Sequence, residues 1–159
     1  MLPIHTILHP TDFSEYSAHA FRLASALARD YGARLIALHV LVPPAVVYGE
    51  GMVVPDAEQQ RDEVRAQLEK LQALGGQVRV VPRLVEGAPV AEILRVAQET
   101  GADLILMGTH GRTGLRRLLM GSVAEQVVRQ AACPVLTVKM PFPEAVPEQD
   151  KPVVQPAQA

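Results

Sequence analysis

Four times along this chain a short apolar run is followed by a longer segment of helical period, and a fifth apolar run closes the series. That alternation is the sequence signature of βαβ units with a parallel sheet, and it narrows the fold more than any other feature. Ile4 to His9 reads as a first strand stopped by Pro10. Ser14 to Tyr31 follows with Ala18, Phe21, Leu23, Ala24, Leu27 and Ala28 at helical spacing, and Gly32 stands where a helix C-terminus favours it. Arg34 to Leu41 is a second strand, its near-continuous apolar run matching a strand covered on both faces, and Pro43-Pro44 ends it. Ala57 to Leu74 is a charged helix with Val64, Leu68 and Leu71 along one stripe, closed by Gly75-Gly76. Val78 to Leu84 then reads as the third strand, Ala88 to Glu99 as the third helix stopped by Gly101, and Asp103 to Met107 as the fourth strand. Ser122 to Ala131 gives the last helix and Pro134 to Val138 the fifth strand. The expected fold is a single doubly wound α/β domain over residues 1–139, its five parallel strands in the order 3-2-1-4-5 with helices on both faces.

Two segments stand outside that pattern. Residues 42–56 form a loop of apolar content, which reads either as a lid or partner surface or as a plain surface excursion. Residues 140–159 carry five prolines in twenty positions and no period, and are expected to be a flexible tail. A length of 159 residues suits one core, and 48% hydrophobic against 20% charged residues is a soluble globular composition. The formal net charge of −2 gives no electrostatic footprint for nucleic acid or an anionic membrane. No run approaches the roughly 20 apolar residues of a spanning helix. One cysteine, Cys133, and a start without a secretory pattern point to a reducing, cytoplasmic setting.

The chemistry concentrates in Met107-Gly-Thr-His-Gly-Arg-Thr-Gly-Leu-Arg-Arg-Leu-Leu-Met-Gly121-Ser122, between an apolar strand and an amphipathic helix. Gly108, Gly111 and Gly114 permit sharp turns and close backbone approach to an anion, and Gly121-Ser122 opens a helix whose free N–H groups favour phosphate. Ligands of open α/β sheets bind outside the carboxyl ends of the strands, where this loop emerges. Arg112, with Arg116 and Arg117, offers charge-assisted bonds to phosphates or stays solvated. Ser122-Val-Ala-Glu125 also reads as a capping box, and Asp12 with Glu15 as another, so both residues have a purely structural explanation. Neither G-x-x-x-x-G-K-[ST] nor G-x-G-x-x-G is present. His9, His39 and His110 fall near the same edge without metal-ligand spacing, and Cys133 reads as a small core residue.

Gly108-x2-Gly111-x9-Gly121-Ser122 resembles the nucleotide motif G-x2-G-x9-G-[ST] of ATP-binding universal stress proteins. Pro10-Thr11-Asp12-Phe13-Ser14, Leu38-His39-Val40 and Cys133-Pro134-Val135-Leu136 extend the resemblance over residues 4–139. It implies that Pro10, Thr11, Asp12 and Val40 frame an adenosine. It also implies that Met107, Gly108, Gly111, Arg112, Gly114, Gly121, Ser122 and Val123 hold the phosphates, with Mg2+ carried by the nucleotide. Family members commonly pair through the fifth strand, and Val135 to Val138 has no charge or bulge to blunt an edge, so a homodimer is expected there. The resulting expectation is an ATP-dependent regulatory protein of the stress response, possessing at most slow hydrolysis assisted by His110 or Asp12, with a further protein partner left open. Three alternatives stand beside it: an adenylating or phosphoryl-transferring enzyme, for which 159 residues leave little room, a scaffold without nucleotide, and a flavin carrier, for which aromatic residues are scarce.

Overall fold

The computed structural model describes residues 3–43, 56–110 and 120–139. Nine elements alternate along them: β1 (Thr6–Pro10), α1 (Glu15–Tyr31), β2 (Arg34–Leu41), α2 (Ala57–Leu74), β3 (Val80–Glu86), α3 (Pro89–Thr100), β4 (Leu104–Gly108), α4 (Ser122–Gln130) and β5 (Val135–Val138). All pairings are parallel and the strand order is β3-β2-β1-β4-β5. The chain reverses its direction of travel between β1 and β4, so the carboxyl ends of these two central strands form the crevice of a doubly wound sheet.

Each face of the sheet has its own core. Ile7, Leu35, Ala37, Leu104 and Leu106 point to the side covered by α1 and α2, where Ala20, Phe21, Ala24, Ala28, Val64 and Leu68 meet them. Leu8, Ile36, Leu38, Ile105 and Met107 point to the other side and meet Ile93, Val96, Ala97, Ala124 and Val127 of α3 and α4. The strands read as continuous apolar runs because successive residues feed both cores. Gly32 and Gly101 end α1 and α3 at φ +64° and +61°, the left-handed position that costs glycine least.

Several element bounds differ from the sequence expectation, each for a local reason. Pro10 closes β1 rather than stopping the chain before it. The Thr11 N–H donates to Leu38 O at 2.8 Å, so the nitrogen of Pro10 faces β4, where pairing already ends at Leu8↔Ile105 and no ladder bond is lost. β3 begins two residues late, at Val80, because the turn after α2 continues until the Val78 N–H reaches Gly75 O at 3.0 Å. Ala88 caps α3 from outside, with Pro89 as its first residue, where a missing N–H is harmless. β5 is an edge strand, and Leu136 on it is 38% exposed.

Candidate functional site

A cavity of about 390 Å3 opens at the carboxyl ends of β1, β2 and β4, within the range of about 300–1,000 Å3 usual for small-molecule sites. The structure gathers there Pro10, Thr11 and Asp12 after β1, Val40 of β2, Met107 and Gly108 of β4, and Gly121, Ser122 and Val123 at the start of α4. Gly111, Arg112 and Gly114 lie outside the described residues. The cavity also takes Ser17 from α1, Gln60 from α2 and Ile93 from α3, none of which a contiguous motif announces.

Thr11 is fixed on four sides. Its N–H donates to Leu38 O, its carbonyl lies 2.8 Å from His39 Nδ1, and its Oγ1 accepts from the Phe13 N–H at 3.1 Å and the Ser17 hydroxyl at 2.7 Å. Phe13 takes φ +62° in that turn, rare for a residue with a side chain, and its ring stacks on His39 at 4.8 Å. Beneath them His9 is wholly buried, with Nδ1 2.8 Å from Leu106 O and Nε2 3.5 Å from Ser17 Oγ. The carbonyl places the proton on Nδ1. Burial disfavours the imidazolium and holds the pKa down to about 4, the Leu106 hydrogen bond and Asp12 opposing only in part.

Asp12 does not cap α1. Its Oδ1 accepts from the Ser14 N–H at 3.0 Å, and Ser14 is the cap, its Oγ accepting from the Ser17 N–H at 3.2 Å. Both are capping residue types two positions apart, and the helix takes the later one. Nor does Ser122 form a capping box. Gly121 occupies the cap position in extended backbone, φ −69° and ψ 154°, and among the described residues no side chain caps the helix. Ser122 is already the first helical residue, so its hydroxyl is past the point from which capping works. The Gly121 N–H is held by Thr109 O at 2.6 Å, which fixes the entry of α4, and Gly121, Ser122 and Val123 at its start line the cavity. Helix starts of this kind favour an anion through those donors and the positive end of the helix dipole.

Thr109 is buried and was not singled out by its sequence. Its N–H donates to Val138 O at 3.0 Å and its hydroxyl to the same carbonyl at 3.1 Å, tying the ends of β4 and β5 together beneath the loop. His110 Nδ1 lies 3.0 Å from Thr109 Oγ1, and its ring sits 5.4 Å from that of Tyr16. Gly108 has a packing reason to lack a side chain, because a Cβ there would stand 3.2 Å from the Tyr16 carbonyl carbon and oxygen. Among the described residues no cluster of three or more His, Cys, Asp or Glu side chains is arranged to hold a metal ion. Cys133 packs against the α3–α4 core, and burial pushes its thiol up.

A model of the universal stress protein family matches residues 3–139. The chain belongs to the universal stress protein family. Among curated relatives, universal stress protein MJ0531 of Methanocaldococcus jannaschii is 39% identical over 142 residues, covering 87% of this chain and 84% of its own. Universal stress protein MJ0577 of the same archaeon is 32% identical over 153 residues, covering 84% and 93%. The solved structure of MJ0577 superposes with a TM-score of 0.75 at 30% identity, over 87% of this chain and 98% of that one. A universal stress protein solved in complex with cAMP gives a TM-score of 0.68 at 26% identity, over 87% and 98%. This universal stress protein therefore shares its sheet order and helix placement with family members matched over nearly their full lengths. Among its described residues no helix is long and apolar enough to cross a membrane.

Proposed function

We propose that the protein is an ATP-binding regulator whose nucleotide occupies the cavity between the ends of β1 and β4. The observation that carries this reading is the uncapped N-terminus of α4 opening into that cavity, opposite the apolar walls of Pro10, Val40 and Met107. An apolar slot beside the N–H donors of a helix start suits a flat base joined to phosphates. Pro10, Thr11, Asp12 and Val40 would hold the adenosine. Met107, Gly108, Gly121, Ser122 and Val123 would hold the phosphates, with Gly111, Arg112 and Gly114 from the intervening loop. Mg2+ would enter on the phosphates. A relative in this family solved with cAMP supports an adenine nucleotide as the ligand class.

The same reading makes residues 1–139 the nucleotide domain of a cytoplasmic homodimer paired through β5, with 140–159 dispensable for binding. It is a binder first, because Thr11, His9 and Asp12 are engaged in structural hydrogen bonds. The test is calorimetric titration with ATP and magnesium of the wild type and of Gly121→Val. Gly121 has extended dihedrals that any residue adopts, and an added branched side chain would obstruct the helix start, with circular dichroism checking that the variant folds. Saturable binding lost in the variant is expected. Undiminished binding in a folded variant overturns the site, and fast phosphate or pyrophosphate release overturns the binder.

A further inference from the structure

The two ends of the cavity differ in chemistry. One end is the start of α4, where the phosphates go under the reading above. The other lies two strands away along the sheet edge, about 10 Å, where Val40 and Leu41 finish β2 and Val42 follows. Of the described residues that line the cavity from β2 and α2, His39 and Gln60 alone carry polar side chains. His39 is already committed, with Nδ1 2.8 Å from Thr11 O and its ring stacked on Phe13. Gln60 therefore stands as a carboxamide beside a largely apolar pocket end.

The sequence of α2 explains how it comes to be there. Gln60, Val64 and Leu68 are spaced by four and share one stripe of the helix. Val64 and Leu68 are buried against the sheet, whereas Gln60, one turn nearer the N-terminus, is exposed and lines the cavity. A stripe position that served only to pack would carry an apolar side chain. The neighbours of Gln60 are used elsewhere. Gln59 Nε2 donates to Glu63 Oε1 at 3.3 Å, and the Arg61 guanidinium donates to the Glu86 carboxylate at the end of β3, which ties the first turn of α2 to the sheet. The Gln60 amide makes no hydrogen bond to another described residue, so a fixed helix turn holds it at the pocket with donor and acceptor available.

We propose, resting on the nucleotide reading above, that Gln60 recognises the base: its Oε1 accepts from the exocyclic amino group of adenine and its Nε2 donates to the adjacent ring nitrogen. A carboxamide sets one acceptor beside one donor, and adenine offers the complementary pair at its amino edge. Val40, Leu41 and Val42 supply the apolar surroundings in which such a pair discriminates more than it does in open water. A base without the amino group leaves Oε1 facing the pocket unpaired.

The probes are ATP and purine riboside triphosphate, which lacks only the amino group, each titrated calorimetrically with magnesium into the full chain. The wild type is expected to prefer ATP by about tenfold. Gln60→Leu should weaken ATP about tenfold and the analogue only about twofold, so that most of the preference disappears. Gln59→Leu, in the same exposed turn but outside the cavity, should leave both affinities unchanged, and circular dichroism checks that each variant folds. A wild type that binds ATP with a preference Gln60→Leu does not alter, or that Gln59→Leu lowers equally, overturns the role of Gln60 and leaves the nucleotide site standing. A wild type that binds neither triphosphate overturns the nucleotide reading, and the role of Gln60 with it.

Discussion

Acid should unfold this protein in part through one buried side chain, His9. In the fold its pKa lies at about 4, against an ordinary value of 6.5, and the main cause is burial, which strips water from the charged ring. The imidazole Nδ1–H is already committed to Leu106 O and Nε2 sits against Ser17 Oγ. The unfolded chain takes up a proton as pH falls through 6.5, while the folded chain resists until about 4. This contribution to stability is therefore complete above pH 6.5 and lost between 6.5 and 4. From the two pKa values the loss is about 2 kcal/mol at pH 5 and about 3 kcal/mol at pH 4, with little further change below. For a domain stable by about 5–15 kcal/mol that is a large fraction.

Urea unfolding followed by circular dichroism from pH 7.5 to 4, on the wild type, His9→Gln and His9→Leu, isolates the term. Both variants are less stable at pH 7.5, since each disturbs a wholly buried site, and His9→Leu leaves the Leu106 carbonyl without its partner at a cost of about 1–3 kcal/mol. What matters is the slope. Carboxylates such as Asp103 titrate in all three proteins and cancel in the difference, so the wild type should lose about 2–3 kcal/mol more than either variant over this range. Parallel pH profiles would show that His9 titrates normally in the fold and would refute the argument.

Further predictions rest on other contacts. Asp103 Oδ2 accepts from the His5 and Thr6 N–H groups at 2.8 and 2.9 Å, and these bonds, that from His5 first, hold its carboxyl below its ordinary value. Its stabilising effect is present above the ordinary carboxylate pKa and fades as pH drops through the depressed one, below the window of His9. Asp103→Ala should cost about 1–2 kcal/mol at pH 7 in the same urea assay and flatten the profile below pH 4. Gly108→Ala sets a Cβ 3.2 Å from the Tyr16 backbone, which cannot swing aside, and should lower stability by about 1–3 kcal/mol in thermal unfolding. In β5, Pro134 O and Val138 O accept from β4, so by alternation the Thr137 N–H points outward. Thr137→Pro should leave the fold intact and convert the dimer proposed above into monomers in sedimentation velocity.

The fold was legible because punctuation and pattern agree. Gly32 and Gly101 mark helix ends that the structure puts in left-handed backbone, and strands buried on both faces betray themselves as unbroken apolar runs. Legibility failed where two residues competed for one role or where a role depends on distant elements. Asp12 and Ser14 are equally good caps on paper, and only the path of the chain after β1 chooses Ser14. His9 reads as one more residue near the ligand edge, while its burial follows from Leu106 and Phe21, which a local pattern cannot bring to it. Gln60 and Ile93 reach the cavity from helices with no motif of their own.

The glycines of the motif show how structure sorts what sequence lumps together. Spacing alone gives Gly108 and Gly121 one explanation, close approach to phosphate. Packing separates them: a side chain at Gly108 would crowd the Tyr16 backbone whether or not a nucleotide ever binds, so a change there would mix a packing effect with any effect on ligands. Gly121 has ordinary extended dihedrals that any residue adopts, and it caps a helix at a position where Ser, Thr, Asp or Asn would stabilise by about 1 kcal/mol more than Ala and by a few tenths more than Gly. A chain shaped by stability alone would place one of those side chains there. Under the binding reading proposed above, a bare cap position leaves the first N–H groups of α4 to the nucleotide, so Gly121→Val, rather than any change at Gly108, is the variant that would separate nucleotide binding from folding.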